Sequence, residues 1–397
     1  MNATFHDFGG VGKLALKNKK QFALIFPILL ASLCFVLVFS TDKEIDALFL
    51  YLSIVIIYAV FLFNIEEYSN RFWLVGVIGI IYRLLPCLVI STTFSNDLIQ
   101  YSYLGGKILS GQFPYRDFTA PYPPLSLYVA VPFVFIGDLR FLKALFSLCD
   151  IFIVFIVYKV FLQGAENANR ISMLLLLFPV SLVEYSVSGH NDSLTVLLLI
   201  ASIALLDKNV AVSSVLMALS ILSKIFPVIL VPFVLRQLYS NNKKSALFFL
   251  AMLIAVLFAV SFPFILLSWD GYISMIIGIT RYSVPYGVLT SLLNLLVSFT
   301  QSSTMFFYLL AIILLIEFCA LIFIISSRRK WPLMKTCGIC LLILPFLLPQ
   351  FHPWYLLWAF PFMITYYSSN LKLTRGYMLL FLSVHILYYL SFLSINF

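Results

Sequence analysis

Apolar runs of about 20 residues, the length that spans a bilayer's hydrocarbon core, recur from Gln21 to the C-terminus, parted by short polar turns. The pattern predicts helices near 21–40, 47–64, 72–93, 141–162, 171–188, 193–206, 210–222, 225–239, 245–268, 303–326, 332–349, 353–368 and 374–395. That makes about thirteen crossings of a membrane. Segment 125–136 is short and bracketed by prolines, so it reads as a re-entrant or surface helix. The pair 210–222 and 225–239 also reads as one hairpin broken around Ser223, Lys224 and Pro227. One polar interruption is longer than any other. It runs from Phe94 to Leu125 and gathers Asp97, Asp117, several tyrosines and the prolines Pro121, Pro123 and Pro124. The expected fold class is all-α, a polytopic transmembrane helix bundle with a large first extracytoplasmic loop that contains amphipathic or re-entrant helices.

Composition agrees with this pattern. The chain is 62% hydrophobic and 10% charged, with mean hydropathy +1.06, whereas soluble domains run near 25% charged. The net charge of +9 falls in short loops between helices, where lysine and arginine act as topology signals, so no nucleic-acid partner is expected. With the N-terminus cytoplasmic, the inner loops carry Lys13 to Lys20, Arg71, Arg170, Lys208, Arg236, Lys243, Lys244, Arg328 to Lys330, Lys335, Lys372 and Arg375. The outer loops carry fewer: Lys43, Lys107, Arg116, Arg140, Lys143, Lys224 and Arg281. Segment 21–40 lacks an obvious small-residue cleavage site and reads as an uncleaved first helix. The six cysteines read as small buried apolar residues, since Cys337 and Cys340 have no second pair nearby.

This orientation puts five polar clusters on the outer side: Asp97 to Leu125, Gly189 to Asp192, Ser223 to Pro227, Arg281 to Gly287 and Gln350 to Tyr355. Their agreement predicts one extracytoplasmic cavity. Asp97 reads equally as a helix N-cap and as a catalytic base, since apolar surroundings at the bilayer edge raise a carboxyl towards useful basicity. Asp117 reads as a partner of Arg116 or as a turn cap. Tyr122-Pro123-Pro124 makes a stiff entry to the next helix. His190, Asn191 and Asp192 open a helix, where they cap it or contact a sugar or phosphate; no metal-ligand spacing supports a metal site. Lys224 lies within an apolar run, where a charge is costly. It either snorkels or meets a lipid phosphate, joined by Arg281 and His352. Asp150, Glu184 and Glu317 are acids at membrane depth, read as packing or pairing residues.

The ordered set Asp97, Gly111 to Phe118, Tyr122 to Leu125, Gly189 to Asp192, Ser223 to Pro227 and His352 to Tyr355 resembles the GT-C superfamily of membrane glycosyltransferases. Within it the chain is most similar to glycosyltransferase family 87 and the GPI mannosyltransferase I catalytic subunits, over about residues 72 to 365. In that family the Gly189–Asp192 motif commonly carries glutamine where this chain has His190. The resemblance implies one membrane domain over 1–397: a hairpin at 1–71, a catalytic module at 72–268 with its active-site loop at 94–140, and helices at 269–397 completing a donor cavity. It implies a polyprenyl-phosphate-sugar donor, typically mannose, and inverting transfer to a lipid or glycan hydroxyl in a cell membrane. Asp97 stands where the family has its base. Tyr115, Arg116, Asp117, Tyr122, His190, Asn191, Asp192, Lys224, Arg281, His352, Trp354 and Tyr355 are the expected substrate contacts, with Tyr103, Tyr115 and Trp354 as sugar-stacking surfaces. No cofactor is expected; the transfer reads as metal-independent, with a divalent cation left open. The alternatives are a lipid or sugar transporter or flippase, which would show an internal repeat, and a glycan polymerase or ligase using a lipid-diphosphate donor.

Overall fold

The structure, a computed structural model, describes residues 44–66, 72–89, 96–277, 304–348 and 351–395. The predicted first span, the basic cluster Lys13 to Lys20 and the proposed phosphate ligand Arg281 lie outside the described residues. Among the described residues every regular element is helical. The first half runs α1 (Glu44–Phe63), α2 (Phe72–Val89), α3 (Asn96–Leu109), α4 (Pro124–Ile136), α5 (Arg140–Ile156), α6 (Ala168–Leu176), α7 (Asp192–Leu205) and α8 (Val210–Ser223). The second runs α9 (Val231–Asn241), α10 (Lys243–Leu267), α11 (Trp269–Ile277), α12 (Thr304–Arg328), α13 (Leu333–Leu347), α14 (Phe360–Tyr367) and α15 (Leu371–Ile395).

Five of the described stretches are long and apolar enough to cross a membrane: Phe72–Val89, Arg140–Phe161, Ala168–Val187, Lys243–Leu267 and Leu371–Leu390. Others are shorter. α7 and α8 have 14 residues each, about 21 Å at 1.5 Å per residue, against roughly 30 Å of hydrocarbon. They form a tightly packed hairpin whose open end carries Asp192 and Ser223. The predicted spans 225–239 and 353–368 each open with a 3₁₀ turn, Phe226–Leu230 and Pro353–Trp358, before α9 and α14.

The predicted span 171–188 is a broken helix. Pro179 cannot continue α6, and the residue before a proline is driven from the helical to the extended region; Phe178 has φ −64° and ψ 120°. Backbone groups at such a break need partners in lipid. Arg83 of α2 supplies them. Fully buried, it donates from Nε to the Leu176 carbonyl (2.8 Å) and from Nη2 to that of Leu175 (3.0 Å). It also meets the Ser181 hydroxyl at 2.6 Å and the Asp150 carboxylate at 3.1 Å. The chain resumes as a π turn, Leu182–Val187, a local widening frequent at functional sites.

α3 and α4 pair as a short hairpin. Leu98, Tyr101 and Leu104 recur at helical spacing on α3 and are buried, with Ile108 packed beside them. The loop between the two helices is pinned from below. Tyr115 sits at φ 65°, its hydroxyl donates to the Tyr122 carbonyl at 2.7 Å, and its ring meets Phe264 and Tyr272 edge-on at 5.3 Å each. Gly271 lets this loop close: a Cβ there would lie 2.0 Å from the Tyr115 carbonyl oxygen.

Candidate active site

After the π turn the chain reverses at Gly189, φ 75°, where a Cβ would stand 3.2 Å from both Leu98 Cδ1 and Lys143 Cγ. Glycine meets both demands, positive φ and close approach. The turn delivers His190 between two carboxylates. Its Nδ1 lies 2.9 Å from Asp97 Oδ2 and its Nε2 lies 3.2 Å from Glu184 Oε2. Tyr122 donates its hydroxyl to Asp97 Oδ1 at 2.7 Å and stands 3.0 Å from Gln100 Oε1. Burial opposes a charge on His190, but the hydrogen bonds to Asp97 and Glu184 outweigh it and raise the imidazole from 6.5 to about 10. The His190 side chain is 6% exposed and that of Asp97 20%, so the carboxylate is the member that reaches open space.

A second cluster adjoins the first through aromatic rings. His190 stacks on Trp354 at 4.5 Å, and Trp354 stacks on His352 at 4.3 Å; His352 and Trp354 are half-buried. Tyr355 meets His352 edge-on at 5.1 Å and carries the Lys224 ammonium 5.7 Å from its ring centroid. Lys224, extended between α8 and the following 3₁₀ turn, is buried and pairs with Asp192 Oδ2 at 2.7 Å. The Trp358 indole N–H donates to the other Asp192 oxygen, and Phe226 stacks on Trp358 at 3.8 Å. Asn191 holds the N-cap position of α7 without a side-chain cap; its amide donates to Ser126 Oγ at 2.6 Å, and Ser126 donates to the Ser223 carbonyl. These contacts tie α4, α7 and α8 together at one end. Among the described residues no group of three His, Cys, Asp or Glu side chains is arranged to hold a metal ion.

Residues 118–349, more than half of the chain, match the model of Glycosyltransferase family 87. The chain belongs to this family. It is also 27% identical over 167 residues to the protein named GPI mannosyltransferase 1 of Dictyostelium discoideum, a stretch covering 38% of this chain and 37% of that relative's length. No solved structure matches. The matched segment holds Tyr122, His190 to Asp192 and Lys224, while Asp97, His352, Trp354 and Tyr355 lie beyond it and enter the site through the fold. With its apolar helices, the molecule is an integral membrane member of that family.

The fold gathers Asp97, Tyr122, His190, Asn191, Asp192, Lys224, His352, Trp354 and Tyr355 into one contiguous constellation. Arg116 and Asp117 stay outside it, paired with each other at the surface at 2.8 and 2.9 Å. The Arg116 hydrogen bond and the Phe113 backbone N–H lower Asp117 to about 2. Tyr115 supports the site through the Tyr122 carbonyl rather than lining it, and Tyr103 is exposed on α3. Glu184 turns out to face the centre, and behind it stand His385, Tyr389 and Tyr51: Glu184 Oε1 is 2.7 Å from His385 Nε2 and 2.9 Å from the Tyr389 hydroxyl. Their one signal in the sequence was an ionisable residue inside an apolar run. The arrangement offers a part-exposed carboxylate, a buried cation fixed beside it, and a stack of the His190, Trp354 and His352 rings.

Proposed function

We propose that this glycosyltransferase moves a hexose, mannose in our reading, from a polyprenyl-phosphate-linked donor to a hydroxyl of a lipid or glycan acceptor, with inversion. Asp97 is the general base. The observation that carries this reading is the partly exposed Asp97 carboxylate, held at one oxygen by Tyr122 and at the other by His190, beside the wall of Trp354 and His352. A carboxylate oxygen can accept more than one hydrogen bond, and this side chain is 20% exposed. The acceptor O–H breaks and its proton goes to Asp97 as the acceptor oxygen forms a bond to the anomeric carbon from the face opposite the phosphate. The anomeric carbon–oxygen bond breaks, and its electron pair leaves on the lipid phosphate. The lipid phosphate monoester that departs is a weak base, so no general acid is needed at that oxygen.

The wall divides the remaining work. Trp354, stacked against His190 and His352, offers its edge to the sugar, and half-buried His352 at the outer end of the stack meets the phosphate. Lys224 is already matched by Asp192; the pair anchors the ends of α7 and α8 beneath the donor and lends a fixed dipole to it. The name of the Dictyostelium relative supports mannose, and the family match supports a lipid-linked donor. The lysine and arginine bias of the loops supports a cell-membrane site facing away from the cytoplasm, with the N-terminus inside. Every group in the scheme is a protein side chain, so transfer is expected to survive a chelator.

The test is Asp97→Asn in a transfer assay with polyprenyl-phosphate-mannose, scored against nucleotide-sugar and lipid-diphosphate donors. Loss of a general base costs about 10²- to 10⁴-fold in rate, with the unfolding midpoint of the variant unchanged. Turnover by the variant at the unmodified rate removes Asp97 from the chemistry. Transfer by the unmodified chain from a nucleotide sugar alone replaces the donor class.

A further inference from the structure

Both ring nitrogens of His190 face carboxylates, Nδ1 at 2.9 Å from Asp97 and Nε2 at 3.2 Å from Glu184. An ionised carboxylate only accepts hydrogen bonds, and a neutral imidazole has a single N–H to give. A neutral ring would therefore point a lone pair at one of the two acids, whereas an imidazolium hydrogen-bonds Asp97 through Nδ1 and faces Glu184 Oε2 as an ion pair. Glu184 has its own supports. Oε1 faces His385 Nε2 at 2.7 Å and accepts from the Tyr389 hydroxyl at 2.9 Å, and Tyr51 stands 2.6 Å from His385 Nδ1. A Tyr51 hydroxyl donating to Nδ1 leaves the His385 hydrogen on Nε2, aimed at Glu184. The line runs Tyr51, His385, Glu184, His190, Asp97, from α1 and α15 through the π turn to α3.

We propose that Glu184 is the positioning residue of this active site: it holds His190 as an imidazolium, and that imidazolium holds Asp97 ionised and in one rotamer. The role assigned to Asp97 rests on the function proposed above; the charge on His190 does not. His190 is faced by Asp97 from α3 with Tyr122 behind it, by Glu184 from the π turn, and by Trp354 with His352 beyond it. The stem of Lys143 from α5 passes under Gly189, and the neighbouring Asp192 is matched by Lys224. On its far side Glu184 is faced by His385 and Tyr389, with Tyr388 and Tyr51 next to them. Glu184 faces His190 from the side away from Asp97, so removing its charge removes half of the acid that holds the imidazolium.

The folded chain binds the His190 proton more tightly than the unfolded chain does, about 10 against 6.5. The pair therefore stabilises the fold in full below pH 6.5, and that contribution is lost as pH rises through about 10. The experiment follows the unfolding midpoint of the full-length chain in detergent micelles from pH 6 to 11, together with the pH profile of transfer, for the unmodified protein, Glu184→Gln and His190→Gln. The unmodified protein is expected to show an inflection near pH 10. Glu184→Gln should move that inflection, and the alkaline limb of transfer, down by at least one pH unit; His190→Gln should abolish the inflection. Should Glu184→Gln fail to fold, Glu184→Asp keeps the charge but withdraws it, and should give a smaller shift in the same direction. Profiles of the Glu184 variants that coincide with the unmodified one, or an inflection that persists in His190→Gln, overturn the proposal. If the donor reading is wrong, the unmodified protein transfers nothing from the polyprenyl-phosphate sugar, yet the unfolding curves still decide the charge.

Discussion

Arg83 with Asp150, and His190 with Asp97 and Glu184, are two ways of burying a cation among acids inside a helical bundle, and they serve opposite ends. Arg83 is closed. Its guanidinium is fully buried and directed at two carbonyls and a serine hydroxyl around the break between α6 and the π turn, and at the Asp150 carboxylate of α5. The His190 cluster is open on one side, because the Asp97 side chain is 20% exposed beside half-buried Trp354 and His352. Ionisable groups at membrane depth are costly in either place. A buried charge therefore does not by itself mark a site. What marks one is an acid whose partners are fixed while part of its acceptor capacity still faces open space.

Substitution can separate the two. Arg83→Met leaves Asp150 without its cation and takes from the Leu175 and Leu176 carbonyls the donors that Arg83 supplies. Removing one partner of a buried pair costs about 3–5 kcal/mol, the largest loss expected here, and it should appear as a lower unfolding midpoint, with activity falling only because folded protein is lost. Adding Asp150→Leu should recover part of it, since replacing both charges spares an unpaired ion. Asp97→Asn gives the converse pattern, a rate loss at constant midpoint. If Arg83→Met kept its midpoint while Asp97→Asn lost it, the two regions would have to exchange roles.

The difference between these regions explains how much was legible beforehand. The helical class, the polar loop 94–125 and the convergence of Asp97, His190, Lys224 and His352 follow from hydropathy, charge bias and motif order, which are local or additive properties of the chain. The role of Arg83 was not legible, because it answers a helix break ninety or so residues away that depends on how Pro179 is seated. Glu184 looked like any acid in an apolar run; its direction comes from the π turn, which rotates the side chains that follow, and periodicity assumes 3.6 residues per turn. His385, Tyr389 and Tyr51 belong to helices whose pattern reports only lipid. The loop acid Asp117 was legible in its plainer sense, as the partner of Arg116.

Lys224 sharpens the comparison, since it shares features of both regions. It is buried and paired with Asp192 at 2.7 Å, as Arg83 is with Asp150, yet it lies over Tyr355 next to the aromatic wall. Lys224→Met should lower the unfolding midpoint by less than Arg83→Met does, about 3 kcal/mol at the low end for a broken buried pair. It should also raise the donor KM, because the dipole beneath the phosphate is lost. Unfolding and donor titration of Lys224→Met and of Lys224→Met/Asp192→Leu measure the two parts. Recovery of the midpoint in the double variant without recovery of KM assigns the pair both an anchoring and a donor role; an unchanged KM in the single variant leaves it purely structural, on the side of Arg83.

The smallest effect is expected at Asp117, four residues from the turn that carries Tyr122 but outside the constellation. Its carboxylate is held by Arg116 and by the Phe113 N–H, 2.6 Å from Oδ2, and exposed ion pairs of this kind are screened by water and salt. Because its folded value is lowered from 3.8 to about 2, its contribution is complete above pH 3.8 and fades only as pH falls through 2. Asp117→Asn keeps an oxygen for the Phe113 N–H, so transfer should stay within about twofold of the unmodified rate, as for surface substitutions generally, with the same pH profile above pH 4. A transfer assay on the variant decides it. A loss approaching that of Asp97→Asn would mean that the loop folds inward when donor binds and brings a second acid to the sugar, and the open side of the site would then be a surface that closes rather than a fixed mouth.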